Sequence, residues 1–182
     1  LVLCAFPFYG FPRTEASPQR DVSRTCTIFT VTSAENIFFS GNLDHPNLDG
    51  YIRFIPASKE GFGGVLHGYQ AELNGRTRIG FENGMNERGL AFSTNGLPDA
   101  KMKSHPEKTL SWSTDNFWHR MMRKCATVED AMKMAKDFNF GTIMDFQVHV
   151  ADSKGDAVVI GPGPDGEVIF TRMKKGDRIL VS

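Results

Sequence analysis

Short apolar runs separated by turn-forming residues dominate the chain and limit the folds open to it. The separators carry Gly, Asn, Asp or Pro, a pattern typical of antiparallel strands joined by tight turns. The first two runs flank Glu35 and Asn36, which predicts a hairpin there. The predicted strands are Cys26–Thr32, Asn36–Ser40, Tyr51–Pro56, Val65–Tyr69, Arg78–Glu82, Leu90–Thr94, Phe146–Ala151, Ala157–Ile160, Val168–Thr171 and Ile179–Val181.

Two helical segments lie between the two groups of strands. Asp115–Lys124 (DNFWHRMMRK) begins with an acidic residue and ends with basic ones, as the helix dipole favours. Thr127–Asp130 resembles a capping box, with Asp at the last position, and opens the amphipathic run Ala131–Phe138. Because strands precede and follow the helices without alternating with them, the order predicts a layered α/β (α+β) fold rather than repeated βαβ units.

Composition excludes several classes of function. The 182 residues suit one domain with a packed core, and the 15 Phe indicate an apolar core or pocket. Lys+Arg and Asp+Glu are both 21, without long runs of either sign. We therefore expect no nucleic-acid partner and no basic membrane-binding surface.

The first 25 residues differ from the rest. Leu1–Phe11 is apolar but too short to span a bilayer, and it is typical of the end of a signal-peptide hydrophobic region. A polar segment, Thr14–Arg24, follows. We predict a signal-peptide remnant and pro-segment at 1–25 and one domain at 26–182, in a secreted or periplasmic protein. A buried first strand is the alternative for the apolar segment, and a cytoplasmic location stays open.

Cys26 is the first candidate for chemistry. The three cysteines (Cys4, Cys26 and Cys125) are an odd number without metal-ligand spacing, so one thiol is free to react. If cleavage before Cys26 freed its α-amine, that amine could take the thiol proton, and Asp44, one hairpin away, could hold the resulting ammonium. The alternative is that Cys26 is a small buried apolar residue.

Asn95 is the second candidate. The tract Asn83–Gly89 predicts a turn that feeds a strand ending at Asn95, where a side-chain amide could donate to a developing oxyanion. The alternative is that Asn95 caps a turn.

Metal and nucleotide chemistry have no comparable signal. The five histidines show no HExxH or zinc spacing, and no Gly-rich phosphate loop is present. We predict no metal and no cofactor. The histidines are His45, His67, His105, His119 and His149.

Four segments together resemble one family. Cys-Thr-Ile-Phe from Cys26, Phe-Phe-Ser-Gly-Asn-Leu-Asp up to Asp44, Asn-Gly-Met-Asn-Glu-Arg-Gly-Leu from Asn83, and Asn-Gly-Leu-Pro from Asn95 occur in the order found in linear amide C–N hydrolases. This is the choloylglycine hydrolase and penicillin V acylase group of N-terminal-nucleophile (Ntn) hydrolases, with isopenicillin-N acyltransferase-like enzymes nearby. The segment that begins at His149 (HVADSKGD) fits the same group.

The resemblance implies a fold and a set of roles. The fold is a four-layer αββα sandwich with two antiparallel sheets between helices, of which 26–182 would be the N-terminal part. Cys26 would be the autocatalytically exposed nucleophile, Asp44 would position it and its amine, and Asn95 would help to form the oxyanion site. The substrate would be a small-molecule N-acyl amide, and a homo-oligomer remains open.

Two departures qualify these expectations. Bile-salt hydrolases and penicillin V acylases carry Arg three residues before the aspartate, where this chain has Gly41. This loss argues against bile-salt or penicillin specificity. A second oxyanion Asn and a further Arg of the family would lie beyond Ser182, so we expect this chain to be inactive alone.

Three functions remain after the sequence analysis. The first is hydrolysis of a linear, non-peptide amide, with Phe-containing loops such as Glu60–Gly63 lining an acyl pocket. The second is acyl transfer of the isopenicillin-N acyltransferase-like type. The third is a non-catalytic relative that retains the fold.

Overall fold

A computed structural model describes most of the predicted domain. It describes residues 26–44, 50–73, 76–97, 102–111, 116–141, 146–174 and 176–182. The predicted signal-peptide remnant and pro-segment lie outside the described residues.

The strands form two antiparallel sheets. The large sheet has seven strands in the order β11-β10-β9-β6-β5-β4-β3, and the small sheet has three in the order β12-β1-β2. A short parallel pair, β7 with β8, stands apart from both sheets. The strands are β1 (Thr27–Thr32), β2 (Ile37–Asn42), β3 (Gly50–Ile55), β4 (Gly64–Leu73), β5 (Arg76–Asn86), β6 (Ala91–Gly96), β7 (Leu110–Ser111), β8 (Phe138–Asn139), β9 (Phe146–Ala151), β10 (Ala157–Pro162), β11 (Val168–Arg172) and β12 (Ile179–Val181).

All ten predicted strands are present, with shifted ends in most cases. The tract Asn83–Gly89 was expected to be a turn, and this is wrong for its first half. Strand β5 continues to Asn86, because Asn83 and Met85 pair with β6. The turn is confined to 87–89, where Gly89 has a φ of +77°, a conformation that favours glycine. The pattern did not predict β7 and β8, which are two residues each.

Both predicted helices are present, and α2 has its predicted cap. α1 (Phe117–Lys124) begins after Asn116, whose side chain accepts a hydrogen bond from the His119 N–H, and the predicted acidic start at Asp115 lies outside the described residues. α2 (Val128–Asp137) begins with the predicted capping box. The side chain of Thr127 accepts from the Asp130 N–H, and the Asp130 carboxylate accepts from the Thr127 N–H. Among the described residues, no helix has the length and apolar character needed to span a membrane.

Alternation along the central strands separates the layers. On β6, Phe92 points into the apolar core beneath the helices, so Ala91, Ser93 and Asn95 point to the opposite face. The small sheet covers part of that opposite face, where His149 of β9 bonds Thr30 of β1. The described residues thus form a helix layer, a large sheet and a small sheet, which are three layers of the predicted αββα order.

Candidate active site

Burial separates the two cysteines that the structure describes. Cys125 follows α1, is 1% exposed and packs in the apolar core. Burial raises the pKa of its thiol to about 12, so Cys125 stays protonated and unreactive near neutral pH. Cys26 is only half-buried and directly precedes β1. Of the two, Cys26 is the more accessible thiol.

Cys26 and Asp44 lie at the same end of the β1–β2 hairpin. The last pair of the ladder is Thr27 with Asn42, so the thiol lies one residue before that pair and the carboxylate two residues after it. The Asn42 amide donates a 3.1 Å hydrogen bond to Asp44 Oδ1 and orients the exposed carboxylate. This is the hairpin relationship that the sequence predicted.

Asn95 is buried in strand β6 with an unsatisfied side chain. It is 5% exposed, and it pairs in register with Gln147 of β9. Its Oδ1 is the buried side-chain polar atom, among the described residues, that has no hydrogen-bond partner. A buried acceptor without a partner costs about 1–3 kcal/mol, so this oxygen does not stabilise the fold.

Strand direction brings the start of β1 toward Asn95. Thr30 lies 2.9 Å from His149 on β9, and Thr32 lies beside Gly155, in the turn that follows β9. β1 and β9 therefore run in the same direction, and the first residues of β1 lie over the first residues of β9. Because Asn95 pairs near the start of β9, the predicted nucleophile and the predicted oxyanion residue lie toward the same end of the two sheets.

A cleft of about 330 Å³ opens between β2 and the large sheet. This volume is within the range of small-molecule sites. Its walls are mainly apolar, with polar side chains at His67, Asn83 and Ser93. Leu43, next to Asp44, lines one end. The other lining residues are Phe39, Ser40, Gly41, Val65, Gly84, Met85, Ala91 and Phe92.

Gly41, at the position where the family's Arg was expected, lines this cleft. Its backbone packs closely on β1, since an added Cβ would lie 3.3 Å from Ile28 Cγ1. The cleft therefore has no guanidinium at this point and stays open.

The loop Glu60–Gly63 does not line the cleft. Phe62 lies beneath the Arg88 guanidinium, 5.6 Å from its ring centre, and its N–H bonds the Arg123 carbonyl at the end of α1. The loop therefore packs against the helix layer, and its role in an acyl pocket stays a prediction.

The sequence pattern did not predict the structural role of two buried polar residues, Asn86 and His149. Asn86 donates to the carbonyls of Met122 and Cys125 and accepts from the N–H groups of Arg88 and Leu90, which fixes the turn after β5 against α1. His149 links the two sheets. The alternation of β9 was readable, but the partners of His149 and the two carbonyl partners of Asn86 are distant in sequence.

Within the described residues, no three His, Cys, Asp or Glu side chains are grouped so as to hold a metal ion.

The sequence matches one family model over most of its length. The model of acyl-coenzyme A:6-aminopenicillanic acid acyl-transferase covers residues 42–181. The chain belongs to this family. No curated protein sequence is significantly similar to it.

Solved structures of Ntn hydrolases share the fold. Two variants of conjugated bile acid hydrolase from Clostridium perfringens superpose with TM-scores of 0.63 and 0.61, each at 16% identity and over 85% of this chain. Penicillin V acylase from Agrobacterium tumefaciens matches over 87% of this chain and 44% of its own, at 18% identity and a TM-score of 0.48. The expected family group and fold are confirmed.

The chain spans about half the length of these structures, covering 52% of each bile acid hydrolase. It therefore shares the fold of the bile acid hydrolase over about half of that protein. The roles of Cys26, Asp44 and Asn95 stay predictions.

Proposed function

We propose that the full-length protein hydrolyses a linear N-acyl amide and that Cys26, once its α-amine is free, is the nucleophile. The observation that carries the proposal is the contrast between the two described cysteines. Cys26 is accessible at the start of β1, and Cys125 is buried with a pKa near 12. The family match and the shared fold support this choice of enzyme class.

The proposed reaction has two steps. The α-amine of Cys26, with a reference pKa of about 7.7–8.0, accepts the thiol proton. The thiolate then forms a C–S bond with the amide carbon, and the C–N bond breaks as the leaving nitrogen takes the proton from the ammonium. Water subsequently attacks the thioester, which releases the acyl acid and restores the thiol.

Asp44 and Asn95 have different electrostatic tasks in this scheme. The carboxylate of Asp44, held by the Asn42 amide, attracts the ammonium form of the Cys26 amine. An oxyanion needs a donor, so Asn95 would act through an N–H group. Its unpartnered Oδ1 then remains to accept from an N–H of the leaving amine or of the Cys26 amine.

The cleft between β2 and the large sheet suits the acyl group. It is mainly apolar, and Leu43 at one end directly follows Asn42, the partner of Thr27 in the β1–β2 ladder. On β3, Ile52 and Phe54 share the cleft face of the large sheet with Val65 and are 64% and 79% exposed. Apolar acyl chains would extend along this surface.

Acyl transfer is the second candidate, and the family model favours it, since its name describes transfer from an acyl-coenzyme A to 6-aminopenicillanic acid. In that reaction the Cys26 thiolate would displace the coenzyme A thiol, and an amine in place of water would then take the acyl group from sulfur.

The deciding experiment determines the N-terminus of the purified full-length protein by intact mass and terminal sequencing, and then measures turnover. We expect a chain that begins at Cys26 and releases acid from N-acyl amides. The Cys26→Ala variant should retain the segment that precedes residue 26 and lose turnover. The Cys125→Ala variant should keep both processing and turnover. Amide hydrolysis that survives in Cys26→Ala would overturn the proposal.

The two candidate reactions differ in whether the acyl group on Cys26 passes to water or to an added amine. With an acyl-coenzyme A and increasing 6-aminopenicillanic acid, a hydrolase continues to form free acid, and an acyltransferase forms the new amide at the expense of the acid. If the wild-type protein is inactive and retains the segment before Cys26, the result would favour the third possibility, a non-catalytic relative.

A further inference from the structure

One buried histidine of the large sheet contacts two strands of the small sheet and the residue that follows the third. His149 of β9 is 0% exposed. Its Nε2 lies 2.9 Å from Thr30 Oγ1 on β1, and its Nδ1 lies 3.1 Å from the Oγ of Ser182, which follows β12. Its ring meets the ring of Phe39 on β2 edge-on, with centroids 5.6 Å apart.

The two hydroxyl groups suit a neutral imidazole. A neutral ring offers one donor and one acceptor, and a hydroxyl can rotate to serve as either. Both ring nitrogens are therefore satisfied in either tautomer. Burial lowers the pKa of His149 to about 4, which keeps the ring in this neutral form near pH 7.

These two hydrogen bonds fix the small sheet relative to His149 at two adjacent places in the β12–β1 ladder. Ser182 exchanges two backbone hydrogen bonds with Ile28, each 2.9 Å long, so it continues the β12–β1 ladder. Thr30 and Ser182 thus hold the ring from adjacent strands. An apolar side chain at this position would fill the same space without fixing how far β1 slides along β9, because apolar contacts have no direction.

The strands that the histidine joins are those of the candidate active site. Thr30 lies four residues after Cys26, about 13 Å along a strand and on the same face of it. His149 pairs with Ser93, which is two residues from Asn95 on β6. The hydrogen bond between Thr30 and His149 therefore joins the strand that carries the Cys26 thiol to the sheet that carries the Asn95 amide.

We propose that His149 is a positioning residue, and that the clamp formed by His149, Thr30 and Ser182 sets the distance between Cys26 and Asn95. As a role in the reaction, this inference rests on the proposed function. Its geometric content, that the clamp controls where Cys26 lies, does not. A misplacement of about 1 Å between reacting groups can cost about a hundredfold in rate, so the clamp should affect kcat.

Two substitutions of the same residue distinguish positioning from packing. The amide of His149→Gln reaches about as far as Nε2 and can keep the Thr30 bond, whereas that of His149→Asn reaches about as far as Nδ1 and can keep the Ser182 bond. Thr30→Val removes the hydroxyl with little change of shape. Thr171→Val, the same substitution at an exposed position of the edge strand β11 away from the small sheet, is the control.

We expect His149→Gln to stay within about threefold of the wild-type kcat, and His149→Asn and Thr30→Val to lose about tenfold or more at similar KM. The rate of Cys26 alkylation by iodoacetamide, followed on the Cys26 peptide by mass spectrometry, should change in the same order. Thr171→Val should leave both rates unchanged.

The alkylation rate does not require a substrate, so it tests the clamp even if the wild type hydrolyses no amide. Equal alkylation rates in the Gln, Asn and Val variants would overturn the clamp, whatever the result for the proposed function. If His149→Asn does not fold, Thr30→Val against Thr171→Val decides the question.

Discussion

The two faces of the seven-stranded sheet are packed in opposite ways. The helix face carries a continuous aromatic and aliphatic core in which Phe92 stacks on Trp118 with ring centroids 4.8 Å apart. The other face is mainly apolar along the cleft but carries three buried polar side chains on β6 and β9, which are called the polar face: Asn95, Ser93 and His149, all at most 5% exposed. Alternate residues of one strand, β6, supply both environments.

This difference indicates that the two faces contribute differently to stability and to activity. Apolar packing on the helix face stabilises the sheet without specifying one arrangement of polar groups. The polar face adds less stability, because Asn95 retains an unsatisfied acceptor, but hydrogen bonds give it directional order. Stability is expected to come mainly from the helix face, and activity from the other.

Phe92→Ala should give the largest change in stability. The side chain is 0% exposed, so truncation leaves a cavity and should lower the free energy of unfolding by about 3–5 kcal/mol. Ser93→Ala, the next residue on the opposite face, is the matched control and should cost far less. Urea unfolding of both variants measures the difference, and equal losses would contradict the contrast between the faces.

Asn95→Ala should show the reverse behaviour. If Asn95 supplies an oxyanion donor, kcat should fall by about 10²–10³, equivalent to about 3–4 kcal/mol of transition-state stabilisation. The free energy of unfolding should stay the same or rise, because the unsatisfied Oδ1 is removed. Steady-state kinetics and urea unfolding check the two halves. A large loss of stability with unchanged kcat would assign Asn95 to the fold alone.

Acid should weaken the polar face through His149. Burial lowers the pKa of this histidine from 6.5 to about 4, so between these values the unfolded chain binds a proton that the folded chain does not. The contribution is fully present above pH 6.5 and is lost as the pH falls toward 4. It amounts to about 3 kcal/mol over that window.

The check is the free energy of unfolding of the wild type and of His149→Gln at pH 7 and pH 4. The wild type should lose about 3 kcal/mol more than the variant over this interval. Parallel pH curves for the two proteins would show that His149 does not titrate as its burial implies.

Thr127→Ala should have the smallest effect. Loss of the N-cap of α2 should cost about 1 kcal/mol of stability, because the Asp130 N–H loses its acceptor. The cap lies on the helix side, so Cys26 alkylation should not change. Thermal unfolding and the alkylation rate measure the two effects, and a changed alkylation rate would mean that the two faces are coupled.

Local patterns were sufficient for most of the fold. Alternation and turn residues predicted all ten long strands, and Thr127 with Asp130 predicted the start of α2, because these signals act between residues a few positions apart. The continuation of β5 to Asn86 was not predicted. Asn and Gly residues favour turns locally, but pairing with β6 supplies the hydrogen bonds that keep this segment extended.

The sequence proposed the residues of the candidate site, but it predicted only part of their spatial arrangement. Cys26 and Asp44 share one hairpin, so sequence distance was enough to bring them to the same end. Asn95 belongs to the other sheet, and only the packing of β1 over β9 places it toward that end. The accessibility of Cys26 relative to Cys125 also depended on the packing of the chain, which the spacing of cysteines does not reveal.

The sequence by itself determined the strands, the cap of α2, the hairpin that carries Cys26 and Asp44, and the family group. Only the tertiary structure decided how the two sheets align, which of the two described cysteines is accessible, and that His149 joins both sheets. The physical reason is range: propensity, capping and turn formation depend on neighbouring residues, whereas Thr30 and His149 meet across 119 positions of chain. Such contacts exist only after the sheets have packed.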